Sequence, residues 1–200
     1  MNPYTPMATV IPEGRVGEAT IQHMVIGERE ASATLIRTFI TREAPIPEGT
    51  YARLLVRGHL MMSDTPMEQR SNYEVIHQAR GDVLIAGLGV GMVVLPILAK
   101  PEVKSVLVVE KSPDVIALVE APLRKALGDK ADRLVIQQAD VYEFEPARGQ
   151  KWDVLYFDVW GDVNSDDLKD SKVLRKKFGR RKNRGGWVGC WVDTQKHLFR

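Results

Sequence analysis

The stretch Asp82-Val-Leu-Ile-Ala-Gly87-Leu-Gly89-Val-Gly91 constrains the fold more than any other part of the chain. An apolar strand, Val83–Ala86, runs directly into three glycines, and the residues beyond read as an apolar helix to about Leu98. Glycines at such a junction supply the backbone angles of a tight turn and let a ligand approach the main chain closely. The start of the following helix aims its free amides at that ligand. An ordinary strand-to-helix turn uses the same residues, so position has to decide. The strand is short and apolar on both faces, as in a parallel sheet covered on each side.

The rest of the C-terminal half repeats the alternation. Ser105–Glu110, Leu134–Gln137, Val154–Phe157 and Gly186–Val192 read as buried strands, with helices at Pro113–Leu127 and about 165–177 between them. Strands alternating with helices, joined by right-handed crossovers, give an α/β, Rossmann-like, doubly wound and mostly parallel sheet of about five strands. Upstream, Ala19–Ile26, Ala33–Ile40 and Thr50–Val56 are rich in Thr, Ile and Val, and turn residues separate them. They predict a small β-rich piece that must pack on something larger. Asp64-Thr65-Pro66 then reads as the start of a helix reaching about Ala79. The expected division is a β-rich subdomain over 1–62, a connecting helix over 63–80 and a nucleotide-binding domain over 81–200.

Composition narrows the classes. With 44% hydrophobic and 27% charged residues the chain is globular, not disordered. The longest near-apolar run, Val83–Ala99, is broken by three glycines and Pro96 and is too short to span a bilayer. A lone cysteine, Cys190, excludes a disulfide framework and a multi-cysteine zinc site, and it reads as a small buried hydrophobe. The opening residues carry no export signal, so the expectation is a cytoplasmic protein without a membrane partner or a metal. Charge is spread unevenly: eight cations and no acid fall within Lys172–Arg184. Such a block can attract nucleic acid or form a solvated helix face, and Phe178 is its only aromatic.

Acids follow the glycine turn at successive strand ends. Glu110 closes the second strand 19 residues beyond Gly91, where a carboxylate can take both hydroxyls of a ribose. Asp140 follows the third strand and Asp158 the fourth. Each alone could be a helix cap, but together they line one crevice. A dinucleotide fold wants glycine or alanine at position 92, which is Met92, so the spacing argues against NAD.

At these residues the sequence resembles the class I S-adenosylmethionine-dependent methyltransferase fold, and in particular its spermidine synthase branch. Gly87–Gly91 matches the first motif, Glu110 the ribose-binding acid, Asp140 the adenine-contacting acid and Asp158 the acid beside the reacting centre. Gly58-His-Leu-Met-Met-Ser-Asp64-Thr-Pro-Met-Glu-Gln-Arg-Ser-Asn-Tyr73-Glu74 is similar to the strand, acidic turn and helix that precede the synthase core. The resemblance implies a cofactor, S-adenosylmethionine or its decarboxylated form, held by Gly87, Leu88, Gly89, Gly91, Glu110, Lys111, Asp140, Val141 and Asp158. It implies Asp158 as general base or amine-orienting acid, with Asp64, Glu68 and Tyr73 closing the acceptor side. Trp160 would wall the pocket. His59 and His77 are further acid–base candidates, and Trp187 and Trp191 are expected to share one face of the fifth strand.

Two departures bear on chemistry. Polyamine synthases carry an acid in the glycine loop where this chain has Val90, and their Asp-x-x-Asp is here Asp158-Val-Trp-Gly-Asp162. Without the loop acid a cationic aminopropyl group lacks its counter-charge. The first reading is therefore a methyltransferase acting on a small-molecule acceptor. Aminopropyl transfer is the alternative, and a non-catalytic nucleotide-binding or regulatory module is the third reading. The family's closing sixth and seventh strands have no room after Val192, so a homodimer covering that sheet edge is expected.

Overall fold

The computed structural model describes residues 3–41, 45–161 and 165–194. Two sheets organise them. The first is antiparallel, with strands β1 (Gly14–Val16), β2 (Ala19–Ile26), β3 (Gly49–Val56) and β4 (His59–Ser63) in sequence order. The second contains β5 (Gly81–Ala86), β6 (Val103–Glu110), β7 (Leu134–Gln138), β8 (Trp152–Phe157) and β9 (Lys182–Cys190). Its order is β7-β6-β5-β8-β9 and every pairing is parallel. The doubly wound α/β expectation holds. The order reverses at β5, with β6 on one side and β8 on the other, and a crevice opens beyond the strand ends at such a point.

One element differs from the sequence reading. Ala33–Ile40 is not a strand but part of helix α1 (Glu28–Thr41). Its threonines and isoleucines suggest a strand, but Glu28 and Glu30 favour a helix N-terminus and Ala31 and Ala33 favour helix interior. The place beside β2 that the sequence reading gave to 33–40 is taken by β3, which matches β2 along its whole length from Ala19↔Val56 to Ile26↔Gly49. The expected single helix over 66–79 is two short ones, α2 (Pro66–Ser71) and α3 (Tyr73–Gln78), broken at Asn72.

Helix α4 (Val94–Ala99) follows the glycine turn, and α5 (Pro113–Leu127) connects β6 to β7. Ser112 caps α5 by accepting the Val115 amide, and Gly128 ends it with φ at 55°. Val115, Val119, Leu123 and Leu127 recur every fourth residue on its buried face. The antiparallel sheet docks near the start of this helix, where the Glu18 amide donates to the Asp114 carboxylate at 3.0 Å. Helix α6 (Ser165–Phe178) covers the β8 side through Leu174 and Phe178, the latter packed on Phe157 with ring centroids 5.3 Å apart.

A last short helix, α7 (Trp191–Thr194), follows β9. Trp191 therefore leaves the strand and does not share a strand face with Trp187. Cys190 is buried at the strand end, as expected. Among the described residues no helix is long and apolar enough to cross a membrane, and no group of three or more His, Cys, Asp or Glu is placed to hold a metal ion.

Candidate functional site

A cavity of about 340 Å³ lies where the parallel sheet reverses order, beyond the C-terminal ends of its strands. Backbone pairing sets its floor: the Gly87 amide donates to Val109 O at 2.9 Å, and the Asp158 amide donates to Ala86 O at 2.8 Å. The three strand ends are thus level, and the glycine turn sits between them.

The three glycines do different work. Gly87 has φ at 97°, and a Cβ there would collide with the Asp158 carbonyl oxygen, so β5 and β8 approach this closely only over a glycine. Gly89, with φ at 52°, lies under the Met62 sulfur, which roofs the cavity from β4. Gly91 faces Leu123 and Val119 of α5, so it is a packing residue and does not line the cavity. Val90, at the position where the resemblance wants an acid, is fully buried and turned away from the void.

Leu88, Glu110, Lys111, Asp140, Val141 and Asp158 all line the cavity. The Glu110 carboxylate is fixed by two backbone donors, the Leu88 amide to Oε2 and the Ser112 amide to Oε1, each at 2.8 Å. Each oxygen keeps a further lone pair for a ligand hydroxyl. Asp140 accepts from Lys111 Nζ at 2.8 Å and from the Tyr142 amide at 2.9 Å, and the lysine contact holds its carboxyl below the usual range. The Lys111 side chain is 77% exposed, so the pair works at the rim.

The other end of the cavity is acidic. Burial pushes the Glu68 carboxyl up to about 7, opposed by hydrogen bonds from Ser71 and Trp191. Asp158 is pushed well above the ordinary aspartate value by burial and then by the charge of Glu68. Two carboxyls facing one low-dielectric void disfavour double ionisation. Behind them Tyr156 donates its hydroxyl to Asn72 Oδ1 at 2.9 Å, and Trp191 Nε1 donates to Ser71 Oγ at 3.1 Å. The break between α2 and α3 is what brings Asn72 to that tyrosine.

Of the three residues expected on the acceptor side, only Glu68 lines the cavity. Asp64 is buried and braces the small sheet: its carboxylate accepts the Met7 amide at 2.6 Å and the Ala52 amide at 2.7 Å. Tyr73 is 52% exposed, stacks on His77, and lines a separate cleft with Pro3, Tyr4 and Pro66. Neither His59 nor His77 lines the cavity, whereas Trp160 does. The Trp160 indole N–H is buried without a partner among the described residues. Asp162 lies outside the described residues. The sequence reading missed the roles of Asn72, Tyr156, Ser71 and Trp191. An asparagine interrupting a helical pattern just after Glu68 was the available signal for the first.

No protein-family model matches the chain. Over 91 residues, 44% of this chain and 30% of the relative, it is 40% identical to polyamine aminopropyltransferase 2 of Caldanaerobacter subterraneus subsp. tengcongensis. Over 141 residues, 65% of this chain and 48% of the relative, it is 31% identical to the polyamine aminopropyltransferase of Pyrobaculum calidifontis. Both matches span less than half the length of these curated relatives. Among solved structures, the spermidine synthase of Thermotoga maritima superposes with a TM-score of 0.49 at 18% identity, over 86% of this chain and 54% of that one. The glycopeptide N-methyltransferase MtfA complexed with S-adenosyl-L-methionine gives a TM-score of 0.45 at 20% identity, over 60% of this chain and 47% of that one.

Proposed function

We propose that the chain is a transferase that binds an S-adenosyl nucleoside along the glycine turn and passes a carbon to an acceptor lying between Glu68 and Asp158. What carries this reading is one cavity with a nucleoside-type half and an acidic half. Gly87–Gly89, Glu110 and Asp140 form the first half, and Glu68 and Asp158 form the second. The residues fit the group: Glu110 has two anchored oxygens ready for hydroxyls, and Leu88, Val109 and Val141 offer apolar walls. A volume of about 340 Å³ is in the range of small-ligand sites.

Such a nucleoside, when bound, supplies an activated carbon on a sulfonium. The protein's part is to orient, to exclude water and to take a proton. The acceptor's lone pair forms the new bond to that carbon, the electrons of the carbon–sulfur bond stay on sulfur, and the acceptor's proton passes to a carboxylate. Glu68, pushed up to about 7 by burial, is suited to take that proton near neutral pH, and Asp158, raised by burial and by the Glu68 charge, faces it across the cavity. The Trp191–Ser71 contact and the Tyr156–Asn72 contact hold the wall around them.

Methyl transfer is the primary reading, because the buried Val90 leaves the glycine turn without a carboxylate for a cofactor amine. Aminopropyl transfer is the second, favoured by the acids at Glu68 and Asp158 and by the sequence likeness to polyamine aminopropyltransferases. Calorimetry with S-adenosylmethionine, its decarboxylated form and S-adenosylhomocysteine separates them. Tighter binding of the decarboxylated form selects the second reading. Binding of none of the three, or binding that Glu110→Ala leaves intact, overturns the site. A non-catalytic module is the outcome if the chain binds the nucleoside without turning it over, whereas turnover that Asp158→Asn leaves unchanged removes Asp158 from the chemistry.

A further inference from the structure

The eight cations of Lys172–Arg184 divide by position into two sets. Four are built into the fold. Arg175 donates to Val188 O at 3.1 Å and pairs with Asp193, and Lys177 donates to Tyr142 O at 2.7 Å and faces Glu145 at 3.5 Å. Arg181 donates to Ala147 O at 3.0 Å, and Lys182 Nζ lies 3.4 Å from Asn183 O. All four are partly buried. The other four, Lys172, Lys176, Arg180 and Arg184, recur at every fourth residue, are all exposed, and make no hydrogen bond or ion pair among the described residues.

Fold stability accounts for the first set and not the second. Like charges at i and i+4 on a helix repel, and Lys172/Lys176 is such a pair on α6, with Arg180 just beyond it in the 3-10 turn Gly179–Arg181. An ordinary solvated face interleaves acids, but 171–192 contains none. Lys176 gains from the helix dipole in the last turn of α6; Lys172 and Arg184 do not. Lys172 to Arg180 covers about 12 Å at roughly 1.5 Å per residue, running along the last turns of α6 and into the 3-10 turn that follows. Along one strand of a duplex phosphates recur about every 3.4 Å of axis, so such a row faces about three or four of them. Val173 is the large apolar side chain exposed beside the row, and nothing there resembles a membrane-inserting face. In the β8–α6–β9 crossover α6 runs back from the cavity end of the sheet. Arg184 therefore lies at the opposite end, where Arg80 donates to Gly185 O at 2.7 Å.

We propose that Lys172, Lys176, Arg180 and Arg184 form a docking face for the phosphate backbone of nucleic acid, running along α6 toward the strand-start end of the sheet, with none of the four lining the cofactor cavity. It is independent of the transferase reading, because a polyanion held there leaves the cavity open. The recognition is of charge and shape, not of base sequence.

The test is fluorescence anisotropy of the full chain with labelled 20-base-pair DNA and RNA duplexes across a salt series. Four phosphate contacts give a slope of log K against log salt of about −3.6, a loss of roughly 100-fold between about 50 and 200 mM. The triple variant Lys172→Gln/Lys176→Gln/Arg180→Gln should lower the magnitude of that slope to about 0.9. Lys125→Gln/Lys130→Gln/Lys151→Gln removes the same charge from exposed sites elsewhere and should leave the slope unchanged. No binding at about 50 mM salt overturns the proposal, as does an equal loss in both triples. Stripe-dependent capture by vesicles containing phosphatidylserine, without duplex binding, overturns it too and assigns the face to a membrane. Near-native circular dichroism and S-adenosylhomocysteine affinity of the stripe variant keep a folding defect from imitating the expected result.

Discussion

Glu68 links the acidic end of the cavity to the protein's stability in a way that can be measured without any substrate. In the fold its carboxyl titrates near 7, against 4.5 for an unhindered glutamate, chiefly because it is buried. Between those values the folded chain holds a proton that the unfolded chain has released, so stability falls as pH rises through the interval. The protonated form is favoured fully below about 4.5, and the effect is complete above about 7. At about 1.36 kcal/mol per unit the whole effect is roughly 3 kcal/mol. About 2 kcal/mol of it falls between about pH 5.5 and about pH 8, because the unfolded carboxyl is already mostly ionised at the lower value.

Glu68→Gln keeps the shape and removes the titration. Urea unfolding of both proteins at these two pH values should show the wild type losing about 2 kcal/mol more than the variant on going to the higher pH. The variant retains some dependence because Asp158 is shifted in the same direction, although loss of the Glu68 charge reduces its shift. Parallel losses in the two proteins would refute the reasoning, since Glu68 would then titrate alike folded and unfolded. An opposite ordering would mean that the folded site holds the carboxylate, not the acid.

Three further outcomes follow from individual contacts. Gly87→Ala should cost about 2–4 kcal/mol in urea unfolding, because a left-handed φ and the Asp158 carbonyl both oppose a Cβ there. Asp64→Ala should cost about 2–5 kcal/mol by leaving the Met7 and Ala52 amides buried and unpaired, while the affinity for S-adenosylhomocysteine stays unchanged in calorimetry. Lys111→Ala should change stability by less than about 1 kcal/mol, since its direct contact with Asp140 lies at the solvent-exposed rim. A larger change there would show that the Lys111–Asp140 contact is shielded from water.

The sequence by itself determined what is encoded over a few neighbouring residues. The glycine turn after Val83–Ala86 was legible because φ values of 97° and 52° at Gly87 and Gly89 need glycine wherever they occur. The α5 boundaries were legible because Ser112, Pro113 and Gly128 act locally on the backbone. Alternation of apolar strands and helices fixed the parallel sheet, and with it the ends where Glu110, Asp140 and Asp158 converge. Tertiary structure decided what depends on partners distant in the chain. Residues 33–40 are helical, and β3 takes the place beside β2 that their composition suggested for them. Asp64 went to the Met7 and Ala52 amides, Tyr73 went to the surface, and Val90 turned inward, since a residue's local pattern does not say which neighbour its side chain meets. The meeting of Glu68 from α2 with Asp158 from β8, and the placing of Trp191 against Ser71 across 120 residues, exist only once the two sheets are packed together. Burial by that packing, not residue type, is what raises both carboxyls above their ordinary values.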